Sequence, residues 1–586
     1  MAAVSLEDNV RSGRMQVGVV RKGMKLEISV LLLKIQSERL SHGKNLSASA
    51  GKREKRRTRP RFFTLDGAFM CGLIAPHLNG KEKLVMSESL EAIFQHVIWN
   101  FCYLSVLLGL SAFGIHRYFI IYLFLRHRRK RVEPAENFRD LPFVTVQLPV
   151  FNEYYVIRRL IRAVSRLDYP RDRLQIQILD DSTDETREIA ASETARLKAK
   201  GFDIEYRHRN NREGFKAGAL AAGLDSAKGE FVFILDADFV PAPDTLKRTI
   251  DHFTDPRVGM VQMRWGHLNR DYSLLTKVQS LFLDGHLLLE QTARSRSGRF
   301  FNFNGTAGIW RKSCISDAGG WQHDTLTEDL DLSYRAQLKG WQFIYLPDVV
   351  VPAELPVDMN GFKSQQHRWT KGSIQTCKKI LPEIWCSRLP LLIKLEATAH
   401  LTANFGYLLL VLLCVLILPH SHSTHGALYA WLVDLPIFFA TSVSIALFYI
   451  VAQTHLNPRG WLRELWMFPL TLALATGMSV NNARGVIEAI LNYQSEFSRT
   501  PKYGIETDRA PVHRVRYVPL KSWLPLVELI FALYFAFCTW NAAKMGHWLS
   551  VPFLMIFLGG FAYVASKSVS FWIQQVAALN PSRSTA

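Results

Sequence analysis

Thr327-Glu328-Asp329 sets two adjacent carboxylates between a turn, Gly319-Gly320-Trp321, and a second polar run, Gln365-Gln366-His367-Arg368-Trp369. Upstream, Asp180-Asp181 and Asp236-Ala237-Asp238 each follow a short apolar stretch. Acidic sites in this order match the needs of group transfer from a nucleotide donor: a seat for the nucleotide, a metal on its diphosphate, a base for the acceptor hydroxyl. Asp236 and Asp238 can hold Mg²⁺ or Mn²⁺, which take oxygen ligands and share them with phosphate. The structural alternative there is helix capping, because Pro241 and Pro243 follow. Asp180 or Asp181 can accept hydrogen bonds from a base or ribose, while Ser182 or Thr183 caps the next helix. Lys216 stands at a helix start beside Gly214 and Gly218, a setting that suits a diphosphate. Its spacing is not that of a Walker A loop, which argues against ATP hydrolysis. Asp329, with Thr327 and Glu328 beside it, is the candidate base. Its apolar surroundings (Trp321, Leu326, Leu330, Trp341) would raise its pKa, and a nearby Arg or metal would lower it. Gln365, Arg368 and Trp369 share one helix face, where Trp can stack on a sugar ring, Arg can pair with phosphate and Gln can bond a hydroxyl.

The elements that position these residues follow from periodicity. Residues 143–150, 174–179 and 231–235 read as buried strands, with a short strand at 204–206. Helices are expected at 156–167, 183–200 and about 217–227 between them. Alternation of strand and helix predicts an α/β domain with a mostly parallel sheet. The carboxylates then fall at the C-terminal ends of strands, where such sheets bind ligands.

Of the 586 residues, 48% are hydrophobic, and they cluster. Apolar runs at about 96–125, 399–418, 428–452, 524–543 and 549–570 predict five membrane spans around one large soluble insertion. The stretch 466–490 is apolar at first but carries Asn481, Asn482, Arg484 and Glu488. A crossing there would leave the basic segment 497–521 outside, so an interfacial or re-entrant element is expected. The formal charge of +20 is concentrated beside apolar runs, as in Arg126-His127-Arg128-Arg129-Lys130-Arg131. This fits the positive-inside rule, and no nucleic-acid motif is present. The seven cysteines form no Cys-x-x-Cys pair, so neither a disulfide framework nor a zinc site is expected. The expected division is a basic extension over 1–85, dispensable or a mis-called start, and a first transmembrane segment over 86–130. A cytosolic catalytic domain with interface helices then covers 131–395, and a membrane region covers 396–586.

Taken in order, Asp180-Asp181, Lys216-Ala217-Gly218-Ala219-Leu220, Asp236-x-Asp238, Asn304-Gly305-Thr306, Thr327-Glu328-Asp329 and Gln365-Gln366-x-Arg368-Trp369 resemble the family 2 processive glycosyltransferases. The likeness is to the cellulose synthase-like and mannan synthase-like membrane enzymes, and it covers about 140–400. It implies a GT-A fold inserted between transmembrane helices and an inverting single displacement with a divalent metal. The implied substrates are a nucleotide-diphosphate sugar (GDP-mannose or UDP-glucose) and a growing polysaccharide. By that resemblance Asp238 is the metal ligand, Asp329 the base, and Phe303, Asn304, Gly305 and Thr306 the acceptor-side loop. Phe497-Ser498-Arg499-Thr500-Pro501-Lys502 is similar to the gating loop Phe-x-Val-Thr-x-Lys, over 497–504. Arg499 in place of Val weakens a cellulose assignment, and the Gln-Gln-His-Arg-Trp run leans toward mannan and glucan synthases. The expected product is a β-1,4-mannan, glucomannan or glucan passed through the membrane. A single-transfer lipid glycosyltransferase of the ceramide glucosyltransferase kind and a non-catalytic membrane scaffold are the alternatives. The expected location is a multi-pass position in a bacterial inner membrane, or in the Golgi of a eukaryote, in contact with membrane lipid and without nucleic acid.

Overall fold

Strands buried on both faces need apolar residues at nearly every position, and two adjacent inner strands here depart from that chiefly at four polar residues that form two cross-strand pairs. β1 (Val144–Val150) and β2 (Leu174–Asp180) are parallel, with Thr145 opposite Gln175 and Gln147 opposite Gln177. Thr145 donates to Gln175 at 2.8 Å and Gln147 donates to Gln177 at 3.0 Å, so the register that buries these side chains also satisfies them. Gln177 passes the ladder on, donating to Ser226 at 2.9 Å and to Glu205 at 3.2 Å. Phe231 and Phe233 face one core with Val146, Ile176 and Ile178, while Val232 and Ile234 face another with Leu220 and Trp310. That is the two-residue alternation of a strand covered on both sides.

The structure is a computed structural model that describes residues 80–421, 432–433, 435–494, 500–506 and 522–579. The chain divides into two units, Met1–Glu91 and Ala92–Ala586. Of the first, only 80–91 is described, and it is helical, so the expected N-terminal extension falls mostly outside the described residues. Phe497 also lies outside them.

The second unit holds a seven-stranded sheet of order β3-β2-β1-β4-β6-β5-β7. The further strands are β3 (Asp203–His208), β4 (Phe231–Ile234), β5 (Val258–His267), β6 (Gly308–Arg311) and β7 (Gln342–Ala353). Pairing is parallel for β1 with β2 and β4, for β2 with β3 and for β5 with β7, and β6 alone runs against its neighbours β4 and β5. The C-terminal ends of the six co-directional strands therefore share one edge of the sheet, and so does the loop that enters β6.

The first long apolar helix is α1 (Val97–His127). Helices α2 (Ile157–Val164), α3 (Thr186–Lys198) and α4 (Phe215–Ser226) are the crossovers of the parallel half. α5 (Leu274–Asp284) starts in a capping box of Ser273 and Thr276, and α6 (Glu328–Leu338) carries the acidic motif. α7 (Met359–Cys386) is capped by Asp358, which accepts from Gly361 N–H at 2.7 Å. Then come α8 (Leu391–Thr402) and α9 (Phe405–Ser421), followed by α10 (Leu435–Leu456), α11 (Phe468–Ile490), α12 (Leu524–Lys544) and α13 (Val551–Leu579). Among the described residues four helices, α1, α10, α12 and α13, are long and apolar enough to cross a membrane. A fifth would be the pair α8–α9, bent by 57°.

α11 is one continuous helix that runs alongside α7 in the same direction. Asn481 donates to the Lys363 carbonyl, Glu488 takes Lys371 at 3.0 Å, and Lys378 donates to the carbonyls of Ala489 and Ile490. At its start Met467 and Leu474 pack with Met359 and Phe362. Both ends of α11 thus lie against the helix that leaves the α/β domain. The described cysteines are free thiols.

The ladder beneath the site generates a stability prediction. Gln177→Leu keeps the volume but leaves Gln147 and Ser226 short of a buried partner. It should cost about 1–3 kcal/mol, measured as a lower thermal unfolding midpoint of the detergent-purified protein.

Candidate active site

The shared sheet edge opens into a cavity of about 260 Å³ lined by residues from nearly every element that ends there. Asp181 comes from the end of β2, and Asp236 and Asp238 from the end of β4. Asn304 and Gly305 come from the loop into β6, and Thr327, Glu328 and Asp329 from the start of α6. Gln365, Arg368 and Trp369 come from α7, with Thr500 and Lys502 from the segment before α12. The carboxylates predicted from three distant stretches thus line one space.

Asp180 is placed differently from its neighbour. It is fully buried, accepts from Tyr206 Oη at 2.7 Å and Ser182 N–H at 2.9 Å, and is absent from the cavity wall. Asp181 alone faces the cavity from that pair. Arg209 holds it with a bidentate grip, Nε to Oδ1 at 2.8 Å and Nη2 to Oδ2 at 2.7 Å. Thr306 is also off the cavity wall: its hydroxyl accepts from Asp236 N–H at 2.8 Å and so fixes the acidic loop from behind. No helix begins at Asp244, where turns and then the 3₁₀ segment Ile250–Thr254 follow, so Asp236 and Asp238 cap nothing.

Each carboxylate of the Asp-x-Asp pair carries a lysine. Lys216 Nζ lies 2.5 Å from Asp236 Oδ1 and donates to the Gly305 carbonyl at 2.8 Å. Lys502 Nζ lies 2.5 Å from Asp238 Oδ2. Burial opposes the charge of both ammonium groups, yet the facing carboxylates hold their pKa values above the usual lysine range. Glu328 and Asp329 shift the other way for a carboxylate. Burial pushes the Asp329 carboxyl up to about 7, helped by the charge of Glu328 beside it, while its hydrogen bond from Leu330 N–H and Lys216 pull down. Burial raises Glu328 as well. Two adjacent carboxyl groups in one apolar-walled recess do not both ionise freely, and one near neutrality is poised for proton exchange.

Aromatic rings form the opposite wall. Trp265 and Trp369 have centroids 6.4 Å apart, and Phe239 backs Trp265 at 5.4 Å. At the mouth the Arg212 guanidinium lies 3.3 Å from the Phe151 ring centroid. Asn152, Arg212, Phe215 and Ala307 beside the cavity take φ of 56°, 46°, 50° and 53°, a left-handed backbone that non-glycine residues adopt at some cost. Arg368 donates to Thr500 Oγ1 at 2.9 Å, tying α7 to the late segment.

The sequence pattern did not single out Arg209, Trp265, Arg212 or Glu354. Arg209 sits in an ordinary basic stretch, and its partner is set by strand order alone. Glu354 had a usable signal: like Asp236, it is an acid directly after a buried strand.

The model of the family described as Glycosyltransferase like family 2 matches residues 142–372. Glucomannan 4-beta-mannosyltransferase 1 of Cyamopsis tetragonoloba is 34% identical over 451 residues, covering 73% of this chain and 82% of that protein. Glucomannan 4-beta-mannosyltransferase 2 of Arabidopsis thaliana is 45% identical over 267 residues, 44% of this chain and 50% of that one. Among solved structures, the mannosyltransferase PcManGT from Pyrobaculum calidifontis in complex with GDP-Man and Mn²⁺ is similar at 21% identity and a TM-score of 0.48. That match covers 67% of this chain and 100% of the other.

The contact between α6 and α7 gives a test. A methyl at Gly372 would stand 2.6 Å from Thr327 Cγ2 and 2.8 Å from its N. Gly372→Ala should therefore push the acidic motif off α7 and lower kcat at least tenfold, for a stability cost of about 1–3 kcal/mol. Initial rates and thermal midpoints on the same preparation would check it.

Proposed function

This chain belongs to glycosyltransferase family 2, with the GT-A fold, and from that membership and the cavity's lining we propose that it polymerises a β-linked polysaccharide. The proposed product is β-1,4-mannan or glucomannan, made from a nucleotide-diphosphate sugar, GDP-mannose or UDP-glucose, and passed through the membrane. One observation carries the reading. The cavity that holds Asp181, Asp238 and Asp329 shares Leu283, Gln365 and Trp369 with a second cavity of about 190 Å³, lined also by Gln366, Tyr407, Tyr449 and Asn482. Amides and aromatic rings suit a carbohydrate chain, and this second space lies across those three side chains from the site, beside α9, α10 and α11.

The placement of these side chains supports the following roles. Asp181, braced by Arg209, faces the nucleoside, and Lys216, Arg368 and Lys502 face the diphosphate. The oxygen-donor set of Asp236 and Asp238 fits Mg²⁺ or Mn²⁺. Among the described residues no group of three or more His, Cys, Asp or Glu side chains forms a closed cage, so diphosphate oxygens would complete the coordination. Such an ion, when bound, neutralises charge on the leaving diphosphate. Ionised Asp329 takes the proton of the acceptor hydroxyl as that oxygen bonds the anomeric carbon. The carbon–oxygen bond to the diphosphate breaks on the opposite face, which inverts the centre. Burial, helped by Glu328 in the same recess, holds the Asp329 pKa at about 7. Trp369 and Trp265 flank the acceptor ring, and Asn304 and Gly305 close the acceptor side. We place α11 at the membrane interface beside α7, with the catalytic domain cytosolic and the spans on the other side of α7.

Membranes bearing the protein, incubated with divalent metal and each labelled nucleotide sugar, should yield a polymer cut by a β-1,4-mannanase. A lone glycolipid product would overturn the reading. Asp329→Asn should lose at least a hundredfold in kcat while nucleotide binding persists in equilibrium dialysis. The raised carboxyl sets the sign of the pH profile: the base form is lost as pH falls, so kcat/KM should climb with pH through a limb near 7.

A further inference from the structure

Glu354 follows β7 at the cavity edge, is 4% exposed, and belongs to none of the motifs that carry the proposed chemistry. Its carboxylate accepts three successive backbone N–H groups from the segment before α12: Tyr503 on Oε1 at 2.8 Å, and Gly504 and Ile505 on Oε2 at 2.9 and 3.2 Å. Consecutive N–H groups outside a helix converge on one anion where the chain turns through a left-handed residue, and Gly504 has φ +73°. A side chain there would also meet the Tyr155 carbonyl oxygen at 3.3 Å. Around this anchor Tyr503 and Ile505 are buried, and Tyr503 Oη donates to Asp358 at 3.3 Å. Arg159 braces the far side, donating to Glu506 at 3.1 Å and to the Asp238 carbonyl at 3.2 Å, 3.8 Å from Glu354 Oε2. The residues just before the anchor are those that reach the site: Thr500 on Arg368 and Lys502 on Asp238.

We propose that Glu354 is a positioning residue whose carboxylate docks residues 500–506 by their backbone, so that Thr500 and Lys502 stand at the diphosphate seat. The carboxylate itself recognises peptide N–H groups rather than the segment's side chains, apart from the glycine that bends it. The anchor is a single side chain, and its replacement by an amide turns one acceptor oxygen into a donor facing an N–H and opens the dock. The assignment of the seat to a diphosphate rests on the function proposed above, but the docking itself does not.

The test uses the full-length protein in membranes. In Glu354→Gln, trypsin should cleave after Lys502 at least tenfold faster than in the unaltered protein, and the KM for nucleotide sugar should rise at least fivefold. The double variant Glu354→Gln with Lys502→Ala should lose less kcat/KM than the product of the two single losses, because one of the two side chains that Glu354 positions is already gone. Gly504→Ala, which leaves β7 untouched, should show the same fast cleavage and keeps the test available where Glu354→Gln accumulates poorly. Unchanged cleavage in either variant, or losses that multiply in the double variant, would overturn the proposal. Cleavage needs no turnover, so it stands apart from failure of the polymerase reading, which Asp329→Asn and product sizing judge.

Discussion

Like charges crowded into one recess repel, and the cavity at the sheet edge is lined by Asp181, Asp236, Asp238, Glu328 and Asp329 together. The arrangement holds because separate elements each bring a cation: Arg209 from the end of β3, Lys216 from the start of α4, Arg368 from α7 and Lys502 from the segment after α11. Neutralisation therefore depends on the assembled fold rather than on any local run of sequence. Where compensation is direct, as at Asp236 and Asp238, the lysines hold the acids in place. Where burial outweighs it, as at Glu328 and Asp329, the carboxyl groups drift toward neutrality. One electrostatic constraint thus separates the acids paired with a lysine from those that burial shifts upward.

α7 transmits that constraint to the rest of the chain. Its Gly372 lies against Thr327, its Lys371 shares Glu488 of α11 with His367 and Arg484, and its Lys363 meets Glu528 of α12 at 2.6 Å. Ion pairs buried this well contribute little net stability but strongly disfavour any other docking of the helices. The turn bearing Gln365, Arg368 and Trp369 is consequently held from below by the α/β domain and from the side by apolar helices.

Much of this was legible where local physics decides. An acid after a buried apolar run marked the ends of β2 and β4, and the parallel half of the sheet followed from strand–helix alternation, with ends shifted by only a few residues. Which of two adjacent acids faces the cavity was not legible. Asp180 and Asp181 are equivalent in pattern, and only the neighbouring β3, with Tyr206 and Arg209, separates a sheet-bound carboxylate from an open one. The reversal of β6 was also hidden, because four residues, Gly308–Arg311, carry no directional signal. Glu354 obeyed the same rule as Asp236 but stood alone, without a second acid to draw attention. Of the polar residues of α11 that argued against a simple crossing, Asn481 and Glu488 meet α7 in the structure.

The partition formed by Leu283, Gln365 and Trp369 has a face toward each of the two cavities. For a polymer built at Asp329, such a divider imposes an order of events. The youngest unit is always on the reacting side and every older one has already gone past the indole. Growth and export then become the same displacement, and this site can add nothing to a unit that has already crossed the threshold.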